Sequence, residues 1–203
     1  MTALRATNTR GDSLRIWLFR LLVLLGAGLM LASWFSPWWG AKISDLSGSD
    51  HIVLRPWGVE MESQVRTYAN KALYEMPAFF TPLMWAYIGL CMLALAVSLF
   101  VERQIAVGRF RLSLPQLLVG FVGLSYVIAV VTAYTIAQIR SGGAGIEFVG
   151  TYIVFNPMTG GNTRIIGALK LGYWLAAGAG AYLLVLALLR NAIVGRTTPK
   201  RHA

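Results

Sequence analysis

Four stretches of this sequence are too long, too apolar and too poor in charge to belong to a water-soluble core. They run from about Trp17 to Ser36, Phe79 to Val101, Leu114 to Ala137 and Leu171 to Leu189. A helix needs about 20 apolar residues to cross roughly 30 Å of bilayer hydrocarbon, and each stretch approaches or exceeds that length. Arg20, near the start of the first, is the only Asp, Glu, Lys, Arg or His within them. Hydrocarbon offers the backbone no hydrogen bonds, so these segments are expected to be α-helices that satisfy their own amides and carbonyls. The whole chain agrees: 57% of its residues are hydrophobic and 13% charged, about half the charged fraction of a soluble domain.

The first stretch has a second reading. Arg5, Arg10, Arg15 and Arg20 followed by Leu21 to Ser33 resemble the charged and apolar regions of a signal peptide. A small-x-small cleavage site is missing, because Trp34 follows Ala32-Ser33. The first stretch is therefore read as a retained helix.

Orientation follows from charge. With both termini and the middle loop inside, 11 of the 18 Lys and Arg residues lie on the inner side, and six of the 8 acidic residues lie outside. The positive-inside rule favours that arrangement. The expected location is the cell membrane, multi-pass, with both termini cytoplasmic. Residues 1–15 form a polar tail. Residues 16–190 hold the four-helix domain, with outer loops at 38–78 and 140–170, and 191–203 form a basic tail.

The outer loops carry structure of their own. In the first, His51 to Arg55 is β-prone, and Pro56 holds Arg55 extended. Val65, Tyr68, Ala69, Ala72, Leu73 and Met76 then recur at helical spacing, which predicts an amphipathic helix ended by Pro77. In the second, Ile146 to Phe155 reads as a strand, with turns at Asn156-Pro157 and Gly160-Gly161-Asn162. Isolated strands are marginal in water, so one sheet built jointly from both loops is expected. The fold class is thus an α-helical integral membrane protein: a four-transmembrane-helix bundle with a small extracellular β-sheet. The middle loop, Glu102 to Ser113, reads as a short basic connection.

Small residues line the helices. Gly172, Ala176 and Gly180 form a small-xxx-small ridge on the fourth, and Gly120 and Gly123 lie in the third. Such ridges let helices approach closely in lipid, either within one bundle or between copies.

The sequence lacks the residues that membrane chemistry ordinarily uses. Its histidines are His51 and His202, its one cysteine is Cys91, and the spans hold no clustered metal ligands. A surface metal site from Asp50, His51 and Glu60 is weaker than their reading as solvated loop residues. No catalytic, cofactor-binding or metal-binding residue is assigned, and no cofactor is expected.

Several local patterns resemble one family. Pro37-Trp38-Trp39 stands where claudins and their PMP22/EMP relatives place a proline before a tryptophan at the end of the first helix. Pro56-Trp57-Gly58 lies where they carry a Gly-Leu-Trp motif, with the order altered. Val154-Phe155-Asn156-Pro157 is similar to their second-loop strand end, and Gly167-Ala168-Leu169 followed by Gly172-Tyr173-Trp174 to their entry into the fourth helix. The chain resembles a divergent member: the family's two loop cysteines are absent, since Val59 to Gln64 holds none. The resemblance implies a claudin-like fold. It also implies a non-enzymatic role in membrane organisation, adhesion or lateral assembly through the outer loops. The alternative is an accessory structural subunit of a larger membrane complex of respiratory or oxidase type. Partners are expected to be membrane lipids and other membrane proteins or further copies of the chain, not nucleic acid. Trp34 and one of the Trp38–Trp39 pair fit an aromatic belt at the head groups. The other of the pair, with Trp57, is expected to anchor the sheet to the bundle.

Overall fold

The computed structural model describes residues 9–45, 48–61, 76–101, 103–107, 110–143, 147–156 and 160–194. Four helices dominate it: α1 (Thr9–Phe35), α2 (Phe80–Phe100), α3 (Leu114–Gly143) and α4 (Leu171–Val194). All four are long and apolar enough to cross a membrane, which supports a multi-pass membrane protein. The shortest, α2 with 21 residues, extends about 32 Å at 1.5 Å per residue. The helices overrun the apolar stretches. α1 begins eight residues before Trp17, and α3 continues through Arg140 to Gly143. Intrahelical hydrogen bonding needs no apolar side chains, so a helix continues past the hydrocarbon until a breaker stops it. The predicted amphipathic helix around Val65 to Met76 falls mostly outside the described residues.

Each helix buries a stripe at helical spacing. On α2 it is Ile88, Cys91, Leu95 and Ser98; on α3 it is Val119, Val122, Gly123, Tyr126 and Val130. α1 contributes Phe19, Val23, Met30 and Trp34 to the same core. α4 lies between α1 and α3, and α2 packs mainly on α3. Small residues make the α3–α4 approach possible. A Cβ on Gly180 would lie 2.8 Å from Val127 Cγ2, and one on Gly123 would lie 2.8 Å from the Leu184 amide nitrogen. Ala176 is completely buried between them in sequence. The ridge Gly172, Ala176 and Gly180 therefore packs inside the molecule.

One end of the bundle carries a five-stranded antiparallel sheet in the order β3-β2-β1-β7-β6. Its strands are β1 (Trp39–Asp45), β2 (Gly48–Arg55) and β3 (Gly58–Met61) from the segment after α1, and β6 (Gly150–Asn156) and β7 (Gly161–Leu169) from the segment after α3. β1 is central, pairing Trp39 with both Leu54 of β2 and Leu169 of β7. The longest strand, β7, occupies residues for which the sequence predicts only a turn and a re-entry. Gly161 and Gly167 dilute its strand signal, and pairing on both sides supplies what propensity does not. At the other end, the segment read as a simple basic connection is a hairpin of β4 (Gln104–Val107) and β5 (Phe110–Ser113). The Leu114 amide closes its base on the Arg103 carbonyl at 2.7 Å. Ser113 Oγ then accepts from the Gln116 amide at 3.4 Å and caps α3.

Bundle and sheet meet at Ser36-Pro37-Trp38. The Trp38 amide donates to the Leu54 carbonyl, the Lys170 amide to the Trp38 carbonyl and the Gly172 amide to the Pro37 carbonyl, each at 2.9 Å. The first turn of α4 thus lies directly on the end of α1. A Cβ on Gly172 would sit 2.5 Å from the Pro37 oxygen and 2.6 Å from the Ser36 oxygen. Both obstacles are backbone, so neither can rotate away. Gly172→Ala is expected to destabilise the protein by about 1–3 kcal/mol, the usual range for overpacking. Gly178→Ala is expected to be neutral or better, since a Cβ there meets nothing within 4 Å. Thermal unfolding of the two variants in the same detergent checks the contrast.

Candidate interaction surface

Two aromatic clusters hold the sheet on the bundle. The first lies under the β2–β3 turn. Pro56 and Trp57 form that turn, with Pro56 buried and Gly58 opening β3. The Trp57 ring lies 5.8 Å from that of Trp34, 5.4 Å from Trp85 and 5.9 Å from Phe35, centroid to centroid. These partners sit at the end of α1 and the start of α2. Thr81 Oγ1 donates to the Trp57 carbonyl at 2.8 Å, tying α2 to the turn. Arg55 spans the cluster: its guanidinium lies 5.6 Å from the Trp57 ring centroid, donates to the Phe35 carbonyl and pairs with Glu60 at 2.8 Å. Glu60, one of the three residues weighed for a surface metal site, is thus held in an ion pair.

The second cluster lies under β1 and β7. The Trp38 ring is 6% exposed, donates Nε1–H to the Ser33 carbonyl at 3.1 Å and meets Tyr173 edge-on at 6.3 Å. Trp39 stacks on Phe148 at 5.0 Å, and its Nε1–H donates to the Phe148 carbonyl at 2.6 Å. Tyr134 of α3 lies 6.0 Å from both Phe148 and Tyr173. Gly167 makes room for the Trp39 ring, because a Cβ there would be 3.1 Å from it. Tyr152, in register with Ile165 of β7, is half-buried, and burial pushes its phenol up from the ordinary value.

The sequence-derived residues thus divide. Pro37, Trp38, Trp39, Trp57, Gly167 and Gly172 meet at the junction of sheet and helices, with Pro56 and Gly58 flanking Trp57. Both members of the Trp38–Trp39 pair sit under the sheet. Phe155 does not join them; it is 62% exposed on β6, and Asn156 ends that strand opposite Gly161. Pro157 lies outside the described residues. Trp34 differs from its belt reading: it is 0% exposed, surrounded by Trp57, Trp85 and the bundle core. Lipid-facing belts expose one ring edge to water, whereas Trp34 is covered by the turn folded over it.

Counting ionisable residues also missed a set of polar clasps within the helices. Ser33 and Tyr126, both completely buried, hydrogen-bond at 3.1 Å between α1 and α3. Tyr87 and Ser125 do so at 3.2 Å between α2 and α3, and the Tyr182 hydroxyl donates to the Leu22 carbonyl at 3.0 Å. Each such bond in lipid contributes about 0.6 kcal/mol, rarely more than about 1.7. Tyrosine and serine on otherwise apolar stripes were the available signal.

The sheet's other side faces away from the helices. Lys42, His51, Val53, Glu60, Arg164 and Ile166 share that side by register. The β6 edge adds Ile153, 66% exposed, and Phe155. Among the described residues, β6 has β7 as its only strand partner. Compared with protein-family models and with curated proteins, the sequence matches none.

Trp57 is the residue through which the turn grips both α1 and α2. Trp57→Ala is expected to cost about 3 kcal/mol, at the low end for removing a buried aromatic. Trp174→Ala, whose ring is 63% exposed, should cost under about 1 kcal/mol. Chemical unfolding of the detergent-solubilised variants checks both.

Proposed function

We propose that this is a non-enzymatic protein of the cell membrane that acts in membrane organisation, adhesion or lateral assembly. Its sheet lies on the outer side, and both termini are cytoplasmic. The observation that carries the reading is the β6 edge. Native sheets blunt their open edges with charges, prolines or bulges. Gly150 to Asn156 contains no charge and no proline, and it presents Ile153 and Phe155 outward. Such an edge is a template for a second strand, and the rigid attachment of the sheet to four helices fixes its height above the membrane. The resemblance to claudins in layout and in the tryptophan motifs supports the same reading.

An accessory structural subunit of a larger membrane complex is the second reading. Gly28 and Gly178 support it: a Cβ on either meets nothing within 4 Å, which leaves helix backbone open to close approach by another helix.

Cross-linking separates the two. The single cysteine, Cys91, is buried, so a Cys91→Ala background reports only on introduced thiols. Antiparallel self-pairing of β6 brings a position near its centre against its own copy, and Ile153→Cys is expected to give disulfide-linked dimers in oxidised membranes. Purification with stoichiometric foreign subunits and no self-linkage would favour the subunit reading. A monomer without either would contradict both.

A further inference from the structure

The face of the sheet directed away from the helices contains a depression of about 420 Å³ that the assembly reading does not use. It lies where β2, β1 and β7 run side by side. Gly40 and Ala168 are paired across β1 and β7, and their small side chains leave the hollow. Val53 and Ile166 give it apolar walls. Its position is at the membrane boundary. Pro37, on its rim, is two residues past the end of α1, and Lys170 immediately precedes α4. Its volume falls within the roughly 300–1,000 Å³ of small-molecule sites.

The rim is cationic. Lys42 and Lys170 line the hollow, and Arg164 lies on the same face, opposite Ser44. The stem of Lys170 lies across the floor, since a Cβ on Gly40 would be 2.8 Å from its Cε. Among the described residues, none of these three cations has an acidic partner within ion-pair distance. Glu60, the acidic side chain described on this face, is occupied by Arg55 at 2.8 Å. The sheet therefore holds unneutralised positive charge around an apolar hollow, next to the lipid head groups.

We propose that this depression binds an anionic lipid of the leaflet on the sheet side. The phosphate would sit between Lys42 and Lys170, with the adjoining carbons on Val53, Ile166 and Ala168. A free anion would satisfy the lysines and leave the apolar walls wet. A neutral lipid would cover the walls and leave the charges unpaired. An anionic amphiphile meets both demands, and the boundary position supplies one at high local concentration. The site is separate from the β6 edge, so it stands or falls independently of self-assembly.

The test uses the full chain in nanodiscs of phosphatidylcholine with a minor fraction of phosphatidylglycerol. The readout is the phosphatidylglycerol retained per protein, followed by native mass spectrometry. The wild-type protein is expected to retain one molecule preferentially. Lys42→Ala with Lys170→Ala should weaken retention by about 25-fold, since each surface lysine contributes roughly a fivefold gain toward anionic lipid. Lys42→Arg with Lys170→Arg should keep it. Ala168→Leu fills the hollow and leaves the charges, so it should lose retention as well. Arg103→Ala, at the far end of the bundle, should change nothing. Equal retention in the Lys→Ala double variant and the wild type would overturn the proposal. So would full displacement of the lipid by millimolar inorganic phosphate, which would assign the site to a free anion. Ile153→Cys cross-linking of the same variants keeps this result distinct from any failure of assembly.

Discussion

The structure depends on how the backbone leaves the membrane at Ser36-Pro37-Trp38. An unpaired amide or carbonyl at the edge of hydrocarbon is costly, and a helix end exposes four of its carbonyls. At the end of α1 the Ala32, Ser33 and Phe35 carbonyls accept from Ser36, the Trp38 indole and Arg55. Just past it the carbonyls of Pro37 and Trp38 are taken by the amides of Gly172 and Lys170, and the Trp38 amide by the Leu54 carbonyl. Three hydrogen bonds thus join the end of α1, the middle of the sheet and the start of α4. Pro37 suits the position because it holds the chain out of the helix and lacks a donor that would need a partner. Gly172 suits it because nothing larger fits over two carbonyl oxygens.

The rest of the sheet's attachment follows from that joint. Once β1 starts at Trp39, β2 and β7 are placed on either side of it, and their ends carry Trp57 and Gly167 to the helices. The chain's one cysteine is free and buried in α2, so no disulfide can hold the sheet. Two aromatic clusters and a guanidinium over Trp57 do that work. Aromatic pairs in these geometries contribute about 0.5–1.5 kcal/mol each beyond their burial, and several of them acting together match the stabilisation of a single disulfide. Among the described residues, this arrangement leaves no further strand paired with the β6 edge.

The sequence made the helices plain and the sheet only half so. Apolar length is a strong signal because lipid permits few alternatives, and the four stretches became four helices. The sheet's composite origin was also legible, since neither outer segment could stand alone. The strand β7 was not, because its residues Asn162 to Leu169 acquire their conformation from β1 and β6. The hairpin after α2 was hidden for a similar reason: four-residue strands paired only with each other leave little periodicity to read. Trp34 was misread because a tryptophan near a helix end looks the same from the sequence whether it faces head groups or a folded-back turn. The Ser33–Tyr126 clasp needed knowledge of which helices are neighbours, and connectivity alone does not give it.

The central claim is that bundle and sheet form a single rigid unit through the joint at Ser36-Pro37-Trp38. Amide-resolved hydrogen exchange of the protein in nanodiscs tests it most directly, through the amides of Trp38, Lys170 and Gly172. If the joint is as described, these three exchange as slowly as amides inside the sheet, because they open only when sheet and bundle separate. Exchange at the rate of an exposed loop, with the helices still protected, would contradict the claim and make the sheet an independently tethered element.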